Sequence, residues 1–263
     1  MIVYPDIDPV AFSIGPVQVH WYGLMYVVGF VAGWWLARRR AASPGSTWKA
    51  VDVDDLIFFA AVGVILGGRV GWILVYGFDT IRADPLNIVR VWQGGMSFHG
   101  GLVGVMVAVA LFARRRGRNV LDVFDFTAPL PALGLCAGRI GNFINGELWG
   151  KPTDLPWGVL VKGQVLHPSQ LYEAALEGLV TFAILWWFTS RPRPRLAPAG
   201  LFLALYGVFR FAVEFVRVPD ANIGYLAFGW LTMGQLLSLP VLATGLAMLG
   251  WAYTRRQPSG NYA

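Results

Sequence analysis

The stretch Leu231-Thr-Met-Gly-Gln-Leu-Leu-Ser-Leu-Pro-Val-Leu-Ala-Thr-Gly-Leu-Ala-Met-Leu-Gly-Trp-Ala-Tyr253 contains no charged side chain. About 20 apolar residues in a helix span the hydrocarbon core of a bilayer. The whole chain of 263 residues is 56% hydrophobic and only 14% charged, whereas a soluble globular domain carries roughly a quarter charged residues. The stretch and the composition therefore predict an integral membrane protein.

Six further apolar segments precede this stretch along the chain. The seven predicted transmembrane helices cover approximately residues 19–37, 56–76, 97–113, 120–137, 171–189, 200–218 and 231–253. The third and fourth are short and rich in Gly or Pro, so a tilted, broken or buried helix is expected there. The predicted fold is an all-α polytopic membrane protein, with residues 1–263 forming a single transmembrane domain.

The Lys and Arg residues are distributed unevenly among the connecting segments. Of the 21, 13 follow the odd-numbered predicted helices, five lie on the other side, and three fall within or beside apolar segments. Because basic loops stay in the cytoplasm, the N-terminus is predicted on the periplasmic side and the C-terminus in the cytoplasm. An even number of spans is the structural alternative.

The N-terminus and the cysteine content exclude other features. Residues Met1 to Gln18 lack Lys and Arg, so no cleavable signal peptide is predicted. The single cysteine, Cys136, excludes an internal disulfide and a Cys-based metal cluster, and we expect it to be a small buried hydrophobe. The net charge is +6, but the sequence resembles no nucleic-acid-binding module, so nucleic-acid binding is not predicted.

The histidines and the charges within apolar segments are predicted to converge on the outer leaflet. His20 precedes the first helix, His99 opens the third and His167 precedes the fifth, all on the outer side. The other outer candidates are the segment 139–150, which follows the fourth helix, and Arg210, Glu214 and Arg217 along the sixth. The candidate site is therefore placed at this leaflet.

The segment Gly138-Arg-Ile-Gly-Asn-Phe-Ile-Asn-Gly-Glu-Leu-Trp-Gly150 contains four glycines, which disfavour a helix interior and favour tight turns. Its Arg139 offers the fork of donors that suits a phosphate, beside the polar Asn142 and Glu147. Residues 138–168 are predicted to form an outer-face loop and a small cap between helices four and five. An outer loop with ordinary interfacial polar residues is the alternative.

Two further groups of residues are candidates for proton transfer or for anion binding. A histidine side chain, whose ordinary pKa is near 6.5, suits a proton acceptor, and His99 is flanked by glycines. An interfacial His bonded only to its neighbours is the alternative. Tyr206, Arg210, Glu214 and Arg217 follow spacings that place them on one helix face. An Arg210–Glu214 pair that locks two helices is the structural alternative, and it leaves a second positive charge for an anionic ligand.

Weaker candidates complete the set. In the block that begins at His20, Trp21 and Tyr22 fit an aromatic belt at the interface, and His167 fits a helix start. Arg69 is either a packed ion-pair member or a second phosphate contact. The chain has no zinc-ligand spacing, Walker loop, dinucleotide fingerprint or nucleophile elbow, so no metal and no cofactor are predicted.

The glycine-rich segment Gly138–Gly150 resembles the signature of the prolipoprotein diacylglyceryl transferase family. Further blocks resemble the family in the same order: Phe12-Ser-Ile-Gly-Pro, His20-Trp-Tyr-Gly, Gly94-Gly-Met-Ser-Phe-His-Gly-Gly, His167-Pro-Ser-Gln-Leu-Tyr-Glu, Arg210-Phe-Ala-Val-Glu-Phe-Val-Arg and Met233-Gly-Gln. The resemblance extends from about Phe12 to Tyr253.

This resemblance implies an activity in the bacterial cytoplasmic (inner) membrane. The family transfers diacylglycerol from phosphatidylglycerol to the lipobox cysteine in the signal peptide of a preprolipoprotein, which yields a thioether and glycerol phosphate. Catalytic roles are expected for His99, Arg139 and Arg210. Contacts with phosphatidylglycerol are expected for Tyr22, Arg139, Asn142, Glu147, Gly150, Arg210 and Glu214. The secondary candidates are His20, Arg69, His167, Tyr206 and Arg217.

Three competing functions belong to other classes. A transporter or channel for an anionic substrate favours inverted repeats, and the sequence shows none. A lipid phosphatase or alcohol phosphotransferase needs a metal-binding Asp cluster or a pair of His nucleophiles. A non-catalytic lipid-binding scaffold is the third alternative.

Overall fold

The computed structural model describes residues 2–15, 17–90, 94–219 and 222–262. The chain forms two compact units. The first comprises Met1–Ala37 and Asp125–Ser259, and the second comprises Arg38–Phe124 and Gly260–Ala263. Helices make up most of both units, as the composition predicts.

The second unit is built on two long helices that pack through glycines. Its elements are α2 (Ala50–Trp72), a π-helical turn (Ile73–Gly77), α3 (Phe78–Ala83), a 3-10 turn (Pro85–Ile88) and α4 (Phe98–Arg115). A Cβ added to Gly67 would lie 2.6 Å from the Cα of Gly104, and one added to Gly71 would lie 2.6 Å from the Cα of Gly100. The two backbones therefore approach as closely as small residues allow, a common form of helix packing in membranes.

The first unit contains most of the remaining helices. They are α1 (Trp21–Ala41, which continues into the second unit), α6 (Leu130–Ile144), α7 (Ser169–Glu173) with a π-helical turn (Ala174–Val180) and α8 (Thr181–Phe188), α9 (Ala197–Val213) and α10 (Met233–Arg255). Small residues again set the spacing, since a Cβ on Gly178 would lie 2.9 Å from the Cα of Cys136. Cys136 is buried, which confirms its predicted role.

Two small sheets in the first unit were not predicted. Strand β1 (Ile2–Val3) pairs in parallel with β4 (Val159–Val161), which pairs antiparallel with β5 (Gln164–Leu166). Strands β2 (Val10–Ile14) and β3 (Val17–His20) form an antiparallel hairpin just before α1. The predicted cap segment between helices four and five therefore contains a β-hairpin, which the N-terminal strand extends.

The helices support a multi-pass membrane protein. Four helical segments of the described residues are long and apolar enough to cross a bilayer: Ala50–Ala83, Phe98–Arg115, Ser169–Phe188 and Met233–Arg255. A fifth is counted if Val120–Thr127 (α5) and Leu130–Ile144, bent by 48° at their junction, form one span. Large apolar side chains face outward on these helices, including Leu74 and Trp187, which are each 73% exposed.

The other two predicted spans coincide with helices α1 and α9, which are not counted among the helices long and apolar enough to cross a bilayer. Helix α1 ends in Arg38, Arg39 and Arg40 and is rich in Trp, Tyr and Gly, which lowers its hydropathy. Helix α9 has 17 residues, which at 1.5 Å per residue spans about 25 Å. The count of seven spans stays a prediction.

Several predicted helix ends are wrong. The fourth predicted helix is broken at Ala128 and Pro129 and then continues to Ile144, so residues 138–144 are helix and not loop. The break occurs because prolines favour the first turn of a new helix. Helix α9 ends at Val213 and not at residue 218, which places Glu214 at its C-terminal cap and Arg217 beyond it.

Candidate active site

Three arginines from separate parts of the first unit meet at Glu173. The Nε atom of Arg139 on α6 lies 3.0 Å from the carboxylate, and Arg217 donates to it at 2.8 Å through Nη1. Arg210 on α9 donates to the same carboxylate oxygen as Arg217. Glu173 ends helix α7 and is 1% exposed. One buried carboxylate therefore holds three guanidiniums in fixed positions.

A second carboxylate, that of Glu214, binds two of these arginines. Its carboxylate lies 2.5 Å from Nη2 of Arg210 and 3.2 Å from Nε of Arg217, and it accepts a hydrogen bond from the Thr232 hydroxyl at 2.7 Å. A Cβ on Gly234 would lie 2.5 Å from the Glu214 carboxyl carbon. The Met233-Gly-Gln block thus lets the start of α10 pack directly against this carboxylate.

The predicted pairing of Arg210 and Arg217 with Glu214 alone is incomplete. Both arginines contact Glu214 and also Glu173. Glu177 lies 3.9 Å from Arg210. The missed residue, Glu173, had a signal in the sequence, because it is a carboxylate in the first turns of a predicted apolar span.

The family signature supplies a chain of polar contacts that leads away from Arg139. Arg139 donates to the Asn142 side-chain oxygen at 3.4 Å, and the Asn142 amide donates to Glu147 at 2.8 Å. The Gln170 amide in turn donates to the backbone carbonyl of Glu147. The signature residues Arg139, Asn142 and Glu147 are therefore brought together as predicted, although the first two lie on helix α6.

Gly150 has a structural explanation. Its backbone N–H donates to the His167 carbonyl at 2.9 Å, and it forms an isolated bridge with Arg217. A Cβ at this position would lie 2.5 Å from the Val216 carbonyl oxygen and 2.8 Å from the His167 Cβ. Only a glycine permits this close approach, so Gly150 fixes the chain beside the cluster.

The two candidate tyrosines lie in the same unit. The Tyr22 hydroxyl is 3.1 Å from that of Tyr26, and the Tyr22 ring packs so closely on Gly141 that a Cβ there would lie 2.9 Å from it. Tyr206 stacks on Phe202 along α9, one turn before Arg210. Both tyrosines are half-buried.

Two arginines of the cluster line a small cleft within the first unit. Its lining includes Arg210, Glu214, Arg217, Ile223, Thr232 and Met233. The side chains of Arg210 and Arg217 are 16% and 14% exposed, so both are paired with carboxylates and still partly accessible. Nη2 of Arg139 makes no hydrogen bond to any residue within the described ranges, which leaves donors for a ligand.

The two histidines of the first unit lie at its polar rim. His20 is exposed and ends strand β3, where it pairs with Val10. The Nδ1 atom of His167 is 3.1 Å from the Tyr172 hydroxyl, which accepts a hydrogen bond from Trp157 at 2.8 Å. Burial, followed by the charge of Lys151, lowers the pKa of His167. His167 therefore belongs to a hydrogen-bonded group and does not contact an arginine of the cluster among the described contacts.

His99 and Arg69 belong to the second unit. His99 is exposed in the first turn of α4, the helix that it was predicted to open, and Ser97 is the N-cap of this helix. Arg69 is buried and donates to the backbone carbonyls of Ile88 at 3.2 Å and Gly94 at 2.7 Å, and also to those of Gly95 and Asn87. The ion-pair interpretation of Arg69 is wrong, since it instead secures the segment before α4.

Long apolar helices and a buried arginine–carboxylate cluster that opens to a cleft define a membrane protein with a charged, anion-compatible site. The family model described as prolipoprotein diacylglyceryl transferase matches residues 9–251, and the chain belongs to this family. It is therefore an enzyme of the transferase class.

Curated relatives agree along almost their whole length. Each is named phosphatidylglycerol–prolipoprotein diacylglyceryl transferase. The relative from Azotobacter vinelandii is 57% identical over 259 residues, which cover 97% of this chain and 98% of the relative. The one from Nitratidesulfovibrio vulgaris is 60% identical over 252 residues, 95% of each chain. The one from Pseudomonas fluorescens is 54% identical over 269 residues, 100% of each chain.

Proposed function

We propose that this chain transfers the diacylglyceryl group of phosphatidylglycerol to the thiol of the lipobox cysteine of a preprolipoprotein. The reaction forms a thioether, releases glycerol phosphate and is the first step of lipoprotein maturation. The observation that carries the proposal is the cluster of Arg139, Arg210 and Arg217 on Glu173, in which the second and third arginines line a small cleft. The names of the relatives supply the two substrates.

The proposal places the site in the outer leaflet of the bacterial inner membrane. Support comes from the distribution of the basic residues, 13 of which follow the odd-numbered helices of a seven-span arrangement. In this orientation the N-terminus is periplasmic and the C-terminus cytoplasmic. The substrate lipid and the membrane-bound preprolipoprotein would then both reach the enzyme from the bilayer.

The chemical step requires stabilisation of a phosphate leaving group. The sulfur–hydrogen bond breaks, sulfur bonds to the glyceryl carbon, and the bond from that carbon to the phosphate oxygen breaks with its electron pair on oxygen. Arg139 and Arg210 are the residues proposed to bear the added negative charge. One donor of this kind in a site shielded from water contributes roughly 3–4 kcal/mol to the transition state.

A proton must also leave the thiol. A cysteine thiol with an ordinary pKa near 8.5 is mostly protonated at neutral pH, so a base increases its reactivity. His99 is our candidate, because the family resemblance assigns a catalytic role to this position and because its side chain is exposed at the start of α4. The proton ends on the released phosphate monoester or in solvent.

The carboxylates of the cluster have a positioning role in this scheme. Glu173 and Glu214 each bind two or more guanidinium atoms, so the arginines are oriented before the lipid arrives. Such preorganised charges need no rearrangement as the reaction proceeds. Asn142, Glu147 and Tyr22 are proposed to contact the headgroup from the signature side.

The direct test is to incubate the purified full-length protein with phosphatidylglycerol and a synthetic lipobox peptide. The expected products are a peptide that carries a thioether-linked diacylglyceryl group, detected by its mass, and an equal amount of glycerol phosphate. A peptide with Ser in place of the lipobox Cys is the control. Headgroup release without peptide modification would indicate a lipid phosphatase or phosphotransferase, and lipid binding without either product would indicate a transporter or scaffold.

A further inference from the structure

Glu177 differs from the other carboxylates of the arginine cluster. It lies one turn after Glu173, in the π-helical turn Ala174–Val180, and is 0% exposed. Neither of its carboxylate oxygens has a hydrogen-bond partner among the described residues. The contacting guanidinium atom, Nη1 of Arg210, is 3.9 Å away, which is beyond hydrogen-bond distance.

Its neighbour Glu173 gives a direct comparison. Both side chains are buried on the same helical segment, yet Glu173 contacts three guanidiniums and Glu177 accepts no hydrogen bond within the described ranges. An ionised carboxylate that is removed from water without donors costs several kcal/mol, and such a group normally becomes neutral instead. The geometry therefore favours ionised Glu173 and uncharged Glu177. π-Helical turns also occur often at functional sites.

We infer that Glu177 is held as an uncharged carboxylic acid, so that the cluster keeps one net positive charge for a ligand with one negative charge. The count covers carboxylates in direct contact: three guanidiniums (Arg139, Arg210 and Arg217) against two ionised carboxylates (Glu173 and Glu214). The fourth glutamate accepts hydrogen bonds from two asparagine amides and lies outside this set. A lipid phosphodiester without a cationic headgroup supplies the balancing charge. This inference rests on the proposed function, and it names Glu177 as a positioning residue that sets the charge of the site.

The surroundings of Glu177 are consistent with this assignment. The charged or titratable groups around it are Glu173 on its own segment, Arg139 on α6, Tyr206 and Arg210 on α9, and Arg217 after α9. The three arginines are already bound by Glu173 and Glu214. A third ionised carboxylate would cancel the remaining charge, and the cluster would then have no electrostatic preference for an anionic lipid.

Phospholipids with the same acyl chains differ in the net charge of their headgroups. A headgroup that carries an ammonium beside its phosphate has no net charge and brings a cation towards the three guanidiniums. A headgroup that carries only the phosphodiester, as in phosphatidylglycerol, does not. The inference therefore predicts a preference that depends on the headgroup charge and not on the acyl chains.

The test combines infrared spectroscopy with lipid binding, using full-length protein in nanodiscs of phosphatidylcholine. The wild type is expected to show the carbonyl band of a protonated carboxylic acid near neutral pH, and Glu177→Gln is expected to lose it. Asp154→Asn, which removes an exposed carboxylate of the cap region, is the matched control and should keep the band. A wild-type spectrum without the band, or a band that survives in Glu177→Gln, overturns the inference.

Affinity for phosphatidylglycerol supplies the second measurement. Because Gln mimics a neutral acid, Glu177→Gln should bind this lipid within about threefold of the wild type. If Glu177 were ionised, the substitution would remove one negative charge from the cluster and raise the affinity for the lipid by about tenfold. If Glu177→Gln does not fold, the infrared spectrum of wild-type protein labelled with [¹³C]glutamate is measured instead. The label should shift the carboxylic acid band if a glutamic acid produces it, and a band that does not shift overturns the inference. Neither measurement uses the peptide, so failure of the transfer reaction is detected separately.

Discussion

Replacement of Glu173 by Gln should be among the most damaging single changes in this chain. The Glu173 carboxylate contacts Arg139 at 3.0 Å, Arg217 at 2.8 Å and also Arg210, and it is 1% exposed. The Gln side chain has nearly the same shape, but one acceptor oxygen becomes an NH2 group. That group would face a guanidinium, so a donor would oppose a donor at a position where solvent cannot intervene.

The expected magnitude follows from these contacts. Removal of one partner from a buried ion pair typically costs about 3–5 kcal/mol, because the remaining charge stays buried without compensation. Here three guanidiniums lose the same partner. A displacement of about 1 Å in a catalytic group lowers the rate by roughly 100-fold. We therefore expect Glu173→Gln to lower kcat/KM for peptide lipidation by at least about 100-fold and to lower the unfolding temperature in detergent.

The assay measures lipidation of a lipobox peptide by mass spectrometry at several phosphatidylglycerol concentrations, together with thermal unfolding of the purified protein. Asp154→Asn makes the same change at an exposed carboxylate and should leave both quantities unchanged. If Glu173→Gln kept kcat/KM within about threefold of the wild type and unfolded at the same temperature, the carboxylate would not be what orients the arginines.

Three further changes test separate parts of the site. Arg210→Lys should lower kcat/KM by at least about tenfold, because one amine cannot replace a guanidinium that reaches Glu173 and Glu214 together. Near-normal kinetics would contradict this expectation. The control is Arg82→Lys, at an exposed position on α3. His99→Gln should lower kcat while phosphatidylglycerol binding persists, and full turnover would remove it as the base. Gly150→Ala should reduce the yield and unfolding temperature of the protein, since its Cβ would lie 2.5 Å from the Val216 carbonyl oxygen; an unchanged unfolding temperature would show that the chain shifts freely there.

The positions of the helices were predictable from sequence because apolar length is a strong signal in membranes. All seven predicted segments coincide with helices, including the short fourth one, whose Pro129 and Pro131 mark a break. Their ends were less predictable. Gly138 and Gly141 disfavoured a helix by composition, but Gly141 lies where Tyr22 packs against α6, so tertiary contact outweighed the local cost of glycine.

The pairing of charges was only partly predictable. Spacing placed Arg210, Glu214 and Arg217 on one face, and their side chains do meet. Spacing cannot reveal a partner on another helix, so the contacts of Glu173 with three arginines emerged only from the fold. The ion-pair alternative for Arg69 failed for a related reason, because its partners are backbone carbonyls, which no residue pattern identifies.

Two of the glutamates, Glu173 and Glu214, pair directly with the arginines. The chain has four, Glu147, Glu173, Glu177 and Glu214, and all four lie on the arginine cluster or on the signature residues that extend from it. A charge within a membrane protein is costly unless it is paired, and a lipid phosphate is present only during part of each catalytic cycle. In the proposed scheme, Glu173 and Glu214 hold the guanidiniums between turnovers and reduce that cost, and they keep the donors aimed at the place proposed for the next phosphate. A site with the same arginines and fewer carboxylates would bind an anion more tightly, but its donors would have to reorganise at every turnover.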